Sequence, residues 1–190
     1  FGAQALVHSL RQKGLRPATC IIGEPTMMRV IEGHKGCYEY TTRITGCAGH
    51  GSAPDRGVNA VEYGARYIAR LLDLKDQLRS RAPADSRFDP PWTTINTGSL
   101  HGGVAHNVIA AHAEIEWEMR PVQRSDADFV KSDLATYVEQ ALLPAMQAVD
   151  PTASIITETI GEVDGLPEAQ AAAVRGFLAG DHPEQGRLGG

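Results

Sequence analysis

The chain has 190 residues, 42% of them hydrophobic and 22% charged, with a net charge of −5, the profile of an ordinary soluble globular protein. That balance excludes the basic stripe of a nucleic-acid binder, and no apolar run approaches the roughly 20 residues a membrane span requires. Three cysteines, Cys20, Cys37 and Cys47, are odd in number and lack a C-x-x-C spacing, so they read as reduced thiols of a cytoplasmic protein, with neither a disulfide framework nor a zinc knuckle.

The chain opens on Phe1-Gly2-Ala3 and closes on Gly189-Gly190, which predicts a piece of a longer polypeptide. Residues 2–13 predict a short helix stopped by Gly14. Residues 18–22 (ATCII) predict a buried strand ending at Gly23-Glu24-Pro25-Thr26. Residues 36–45 alternate, with Tyr38, Tyr40, Thr42 and Ile44 on one face, as in a half-buried strand. From Asn59 the period becomes helical. Val61, Ala65, Ile68 and Leu72 form the predicted apolar stripe of a helix reaching about Leu78.

A proline-bearing loop follows over 80–92, then a strand over Thr93–Leu100 and a turn over 101–107. Ala111, Ala113, Ile115, Trp117 and Met119 alternate with polar residues up to Arg120, and Pro121 closes that strand. Ser125, with Asp126 and Asp128 behind it, predicts a helix start. Phe129, Leu134, Val138, Leu142 and Leu143 carry that helix to about Ala148, with Pro144 bending its end. Ser154–Ile160 predicts a further strand, and Pro167–Leu178 a helix.

From residue 36 to 160 the order is strand, helix, strand, strand, helix, strand. That predicts an α+β, ferredoxin-like four-stranded antiparallel sheet with two helices on one face. The pieces before and after do not fit into it and predict a neighbouring domain into which this unit is inserted.

Several residues have the chemistry of a site. His50 stands between Gly49 and Gly51, so the imidazole is presented either to a ligand or to a second chain; the plain alternative is a polar loop residue at a strand-to-helix corner. A histidine so placed can donate to a carbonyl oxygen that turns negative in acyl transfer. Ser52 and Asp55 nearby invite a Ser-His-Asp reading, but a triad is made by spatial geometry and no G-x-S-x-G elbow is present. Glu24, at the end of a short apolar strand, is placed to bind a metal or substrate, or else is a solvated turn carboxylate. Gly102-Gly103 with Asn107 makes either a polar turn that binds an anion or amide, or an ordinary long β-turn. Arg120 suits bidentate carboxylate capture, or pairs with the acidic row Glu114, Glu116 and Glu118. His34, His101, His106 and His112 make no spaced metal-binding pair.

Taken in order, Ile21-Ile22-Gly23-Glu24-Pro25-Thr26, His34-Lys35-Gly36, Gly49-His50-Gly51-Ser52-Ala53-Pro54, Arg56-Gly57-Val58-Asn59-Ala60, Gly102-Gly103, Asn107-Val108-Ile109 and Met119-Arg120-Pro121 resemble a known family. It is that of the co-catalytic zinc amidohydrolases and carboxypeptidases, which includes acetylornithine deacetylase and succinyl-diaminopimelate desuccinylase. The His-Lys-Gly and GHGSAPDRGVNA strings look most like acetylornithine deacetylase. The resemblance implies a lid and dimerisation domain over residues 30–163, between catalytic-domain remnants at 1–29 and 164–190 of an α/β zinc-hydrolase domain. It implies two zinc or cobalt ions per active site, with Glu24 as a metal ligand. It implies that His50 reaches from one subunit into the active site of the other, and that Asn107 and Arg120 contact substrate. The implied substrate is a small N-acyl amino acid and the implied assembly a homodimer. The early His-x-Asp ligands, the Asp-Glu-Glu motif with its general base and the late histidine ligand of that family are absent. The alternative reading is an isolated dimerisation module without chemistry of its own; a third is an amino-acid-sensing domain.

Overall fold

The computed structural model describes residues 2–17, 20 and 33–166. Glu24 and the elements predicted at 18–22 and 167–178 lie outside the described residues. The chain divides into two units. One comprises residues 1–34 and 166–190, the other Lys35–Gly165. In the first, α1 (Gly2–Gln12) has no buried residue, and a β-bridge joins His34 to Leu166.

The second unit carries the predicted order. Strand β1 (Cys37–Thr45) leads through the two-residue β2 (Gly49–His50) and a 3-10 turn to α2 (Ala60–Arg79). Then come β3 (Thr94–Gly102), the short β4 (Val108–Ile109) and β5 (His112–Arg120). Helix α3 (Arg124–Tyr137) runs through a π-helical turn into α4 (Leu143–Gln147), and β6 (Ser154–Val163) completes the sheet. The strand order is β3-β5-β1-β6, with every pairing antiparallel. This is the ferredoxin-like split βαβ arrangement.

Strand β1 sits at the centre. Tyr38, Tyr40, Thr42 and Ile44 point into the core with Ile115, Trp117 and Met119 of β5. Burying alternate side chains of a pleated strand explains the period of two in both sequences. Tyr40 stacks on Trp117 with ring centroids 4.4 Å apart. The indole Nε1–H donates to Thr42 Oγ1 at 3.0 Å, and that hydroxyl meets Thr157 Oγ1 at 2.9 Å, so the buried polar atoms beneath the helices are paired. Among the described residues no helix covers the opposite face, which carries Glu39, Arg43, Glu114, Glu116, Glu118 and Glu158. Arg43 bridges Glu114 at 2.9 Å and Glu158 at 2.5 Å across three strands.

Helix α2 starts where the sequence predicts. Asn59 Oδ1 accepts from the backbone N–H groups of Val61 and Glu62, and its amide donates to Glu62, a cap closed from both sides. The predicted stripe is corrected. The core positions are Ala60, Gly64, Tyr67, Leu71, Leu74 and Leu78, one residue out of phase with Val61, Ala65, Ile68 and Leu72. Two of the true core positions, Ala60 and Gly64, carry almost no side chain and give no hydrophobic signal. Gly64 packs so closely that a Cβ there would lie 3.2 Å from Leu100.

Helix α3 begins at Arg124 rather than Ser125, with Gln123 as its cap residue and no capping side-chain bond. Asp126 is fully buried and accepts from Thr93 Oγ1 at 2.6 Å, Arg81 Nε at 2.8 Å and Gln123 Nε2 at 3.1 Å. A carboxylate persists in such a place only when its oxygens are so paired. The network ties the loop over 80–93 to the start of α3. Arg70 makes a two-pronged bond to Asp133, joining α2 to α3. The π-helical turn Val138–Leu142 stands just ahead of Pro144. A wider turn accommodates a residue that has no N–H to give and whose ring crowds the preceding carbonyls.

The phase of α2 has a direct consequence. Leu71 is 1% exposed and Leu72 is 52% exposed. Leu71→Ala is expected to cost about 2–5 kcal/mol, while Leu72→Ala stays within about 0.5 kcal/mol, as read from urea midpoints at constant slope and at a protein concentration where the chain is monomeric.

Candidate functional site

His50 is held by a ribbon built at one end of the sheet. After β1, Gly46 N–H donates to Ala111 O at 2.7 Å, and Cys47 and Val58 exchange both backbone bonds at 3.0 Å. Strand β2 then pairs with β4, His50 opposite Val108 and Gly49 opposite Ile109. A tight turn follows, closed by Ala53 N–H to His50 O at 2.9 Å. Gly51 N–H reaches Asn107 O at 2.8 Å. A Cβ on Gly51 would sit 3.1 Å from the carbonyl atoms of Asn107, so the glycine after His50 is what lets the two loops touch. His50 and Asn107 are thereby brought to one place, both exposed.

The imidazole is fixed at one nitrogen. Its Nδ1 lies 2.7 Å from Ser52 Oγ and 3.2 Å from Ser52 N. The Ser-His-Asp reading therefore has a real Ser–His contact, but no bond from the ring to Asp55 is found among the described residues. Beside the ribbon lies a largely apolar cleft of about 550 Å3, lined in part by Ala48, His101, Gly103, Val104, Val108 and His112. Gly103 has φ +75°, a conformation that favours glycine and turns the chain from β3 toward Asn107.

Arg120 stands elsewhere. It ends β5, opposite Thr94, while the His50 ribbon lies beyond the His112 end of the same strand. Nine residues of strand put the two ends about 27 Å apart. Arg120 Nε and Nη2 both donate to Glu118 Oε2, at 3.0 and 2.6 Å. That hydrogen bond, ahead of the opposing effect of burial, raises the guanidinium pKa above its usual value. The chain also enters and leaves the unit at this end. Gly36 N–H donates to Pro121 O at 2.8 Å and Cys37 pairs with Val163. Tyr38 hydroxyl donates to Asp164 at 2.5 Å, and that bond, with burial behind it, pushes the phenol up to about 12. Lys131 and the Tyr40 hydroxyl both donate to Glu162, whose pKa is lowered chiefly by the Tyr40 bond.

Among the described residues no group of three or more His, Cys, Asp or Glu side chains can hold a metal ion, so they do not fit a catalytic metal centre by themselves. No helix among them is long and apolar enough to cross a membrane.

Known proteins match this chain over the same region. Residues 32–146 match the peptidase dimerisation domain family. The acetylornithine deacetylase of Edwardsiella ictaluri is 43% identical over 130 residues, which are 68% of this chain and 33% of that protein. The acetylornithine deacetylase of Klebsiella pneumoniae is 39% identical over 133 residues, 70% of this chain and 33% of that protein. The chain thus spans about a third of the length of these relatives. Among solved structures, an amidase of the hydantoinase/carbamoylase family from Burkholderia vietnamiensis superposes with a TM-score of 0.53. It covers 78% of this chain and 33% of that one at 18% identity, a likeness of fold alone. With more than half of its length inside the family match and the sheet order built from its own alternating strands, the chain belongs to the peptidase dimerisation domain family.

Proposed function

We propose that this chain is the dimerisation part of a metal-dependent amidohydrolase that removes the N-acyl group from an amino acid, N-acetylornithine being the favoured substrate. The supporting relatives are deacetylases by name. Residues 1–29 and 164–190 are assigned to the catalytic domain of the same enzyme, which is placed in the cytoplasm, where the free thiols of Cys20, Cys37 and Cys47 stay reduced. Related desuccinylase or carboxypeptidase activity is the alternative within the same reaction class.

One observation carries the arrangement of the site. His50 and Asn107 occupy one end of the sheet and Arg120 the other, about 27 Å away along β5. An acyl amino acid is far shorter than that. If all three residues touch substrate, His50 and Asn107 serve one active site and Arg120 serves another. A two-fold dimer satisfies this directly, each subunit giving Arg120 to its own site and lending His50 and Asn107 to its partner's. His50 then donates to the carbonyl oxygen as negative charge grows on it, Asn107 offers its amide beside it, and Arg120 takes the substrate carboxylate.

The second copy is assigned to the outer stripe of α2. Leu72 and Ala65 are exposed, and Val61 and Ile68 only partly covered. Leu100 of the adjacent edge strand β3 is 37% exposed. The helix-free face is the poorer candidate: although Ile156 and Ile160 are exposed at its β6 side, it sets five glutamates against one bridged arginine, and two copies of it would repel. The α2 stripe also begins at the Asn59 cap, a few residues after the His50 turn, so pairing along it carries that turn toward the partner.

The metal pair, zinc or cobalt, is assigned mainly to polypeptide outside this chain, with Glu24 as the one ligand contributed here. The second reading, for the isolated 190 residues, is a dimerisation module without turnover of its own.

Four experiments test these assignments. In the full-length enzyme, His50→Ala is expected to lower turnover about 10²–10³-fold. Mixing His50→Ala subunits with Arg120→Ala subunits should restore about a quarter of wild-type turnover, because half of the mixed population is heterodimer with one intact site; no recovery would show that both residues serve the same subunit. Leu72→Glu should leave the chain folded and monomeric by sedimentation, whereas a persisting dimer would move the interface elsewhere. Zinc titration of the 190-residue chain should show no tight stoichiometric binding; one-to-one tight binding would place a metal centre inside it.

A further inference from the structure

The geometry points to Ser52 as a positioning residue that sets which nitrogen of His50 carries the proton. This rests on the proposed role of His50 toward the substrate carbonyl and goes beyond it. The turn His50-Gly51-Ser52-Ala53, closed by Ala53 N–H to His50 O, folds the imidazole back over its own backbone. Its Nδ1 then faces two atoms of one residue, Ser52 N at 3.2 Å and Ser52 Oγ at 2.7 Å. A backbone N–H can only donate. A proton on Nδ1 would oppose that N–H, so Nδ1 must be the accepting nitrogen, and the hydroxyl, which rotates freely, donates to it as well. The ring proton of the neutral imidazole is left on Nε2, the nitrogen turned away from the turn.

The consequence is chemical. The partner of a ring nitrogen decides the tautomer and the orientation of the other nitrogen. An oxyanion donor must present an N–H in a fixed direction before charge develops. Ser52 supplies that preorganisation from two residues away. The neighbouring Gly51 supplies the place, since its missing Cβ lets the turn rest on the Asn107 backbone. Ser52 therefore acts through His50 and touches no substrate. The order His-Gly-Ser is accounted for residue by residue, and the serine is no nucleophile.

The experiment is nitrogen-15 NMR of the histidine rings in this chain at a pH where His50 is neutral, with His50→Gln used to assign its signals. Wild type is expected to show an unprotonated Nδ1 and a protonated Nε2. Ser52→Ala removes the hydroxyl and keeps the backbone donor, so the Nδ1-protonated form should become populated. In the full-length enzyme kcat should fall about three- to tenfold, the size of one hydrogen bond, with KM within twofold. Ser52→Thr should restore both. A proton on Nδ1 in wild type, or a Ser52→Ala variant with unchanged ring signals, would overturn the assignment. The two readings fail separately. If His50→Ala leaves turnover intact, the substrate role of His50 falls, while the ring signals still decide what Ser52 does.

Discussion

The central position of β1 is the constraint on which the rest of the molecule depends. Because it pairs with β5 on one side and β6 on the other, its inward residues Tyr38, Tyr40, Thr42 and Ile44 lie in the core, the one hydroxyl buried deepest, that of Thr42, being hydrogen-bonded to Trp117 and Thr157. The same position fixes the two ends of the unit. At the start of β1 the chain enters, beside Arg120 and the end of β6. At its finish the chain turns out into the β2–β4 ribbon that holds His50. The split βαβ order allows no short path between these ends. Hence the distance between the histidine and the arginine is a property of the fold and not of side-chain choice, and a proposal in which both act on substrate is at once a proposal about two subunits.

How legible this was depends on how each element buries its residues. Strands β1 and β5 were readable because one face is packed and the other wet, so apolar residues recur at every second place. The helices were readable as helices, but the face of α2 was not. Its core side contains Ala60 and Gly64, which vanish from any hydrophobic count, while its outer side contains Val61, Ile68 and Leu72, which dominate that count. A sequence reading picks the stronger stripe, and here that stripe lies at the border of the core, with Val61 and Ile68 half-covered and Ala65 and Leu72 exposed. The strands of the β2–β4 ribbon were illegible for another reason: two residues have no period. What marked the place was the glycine on each side of His50, a signal of close approach and not of strand. The buried Asp126 was read as a helix-start residue; two of its three donors, Arg81 and Thr93, come from a loop whose course no local pattern predicts, and the third is the cap residue Gln123.

The error on α2 is informative in itself. A helix that had only to cover its own sheet would need one apolar stripe, and the heptad-like set from Ala60 to Leu78 already supplies it. The second stripe adds apolar surface that water must cover in a lone unit, at an unfavourable free energy that rises with area. Leu72, half exposed on the helix, and Leu100, on the edge strand β3 beside it, are apolar surface that a second copy would cover under the proposed arrangement. The family is one of dimerisation domains, and the stripe starts at the cap of the helix that follows the histidine turn. One helix thus joins the two halves of the proposal: its inner face is the core that holds the ribbon in place, and its outer face is the surface along which a second copy would bring its own active site to meet the imidazole.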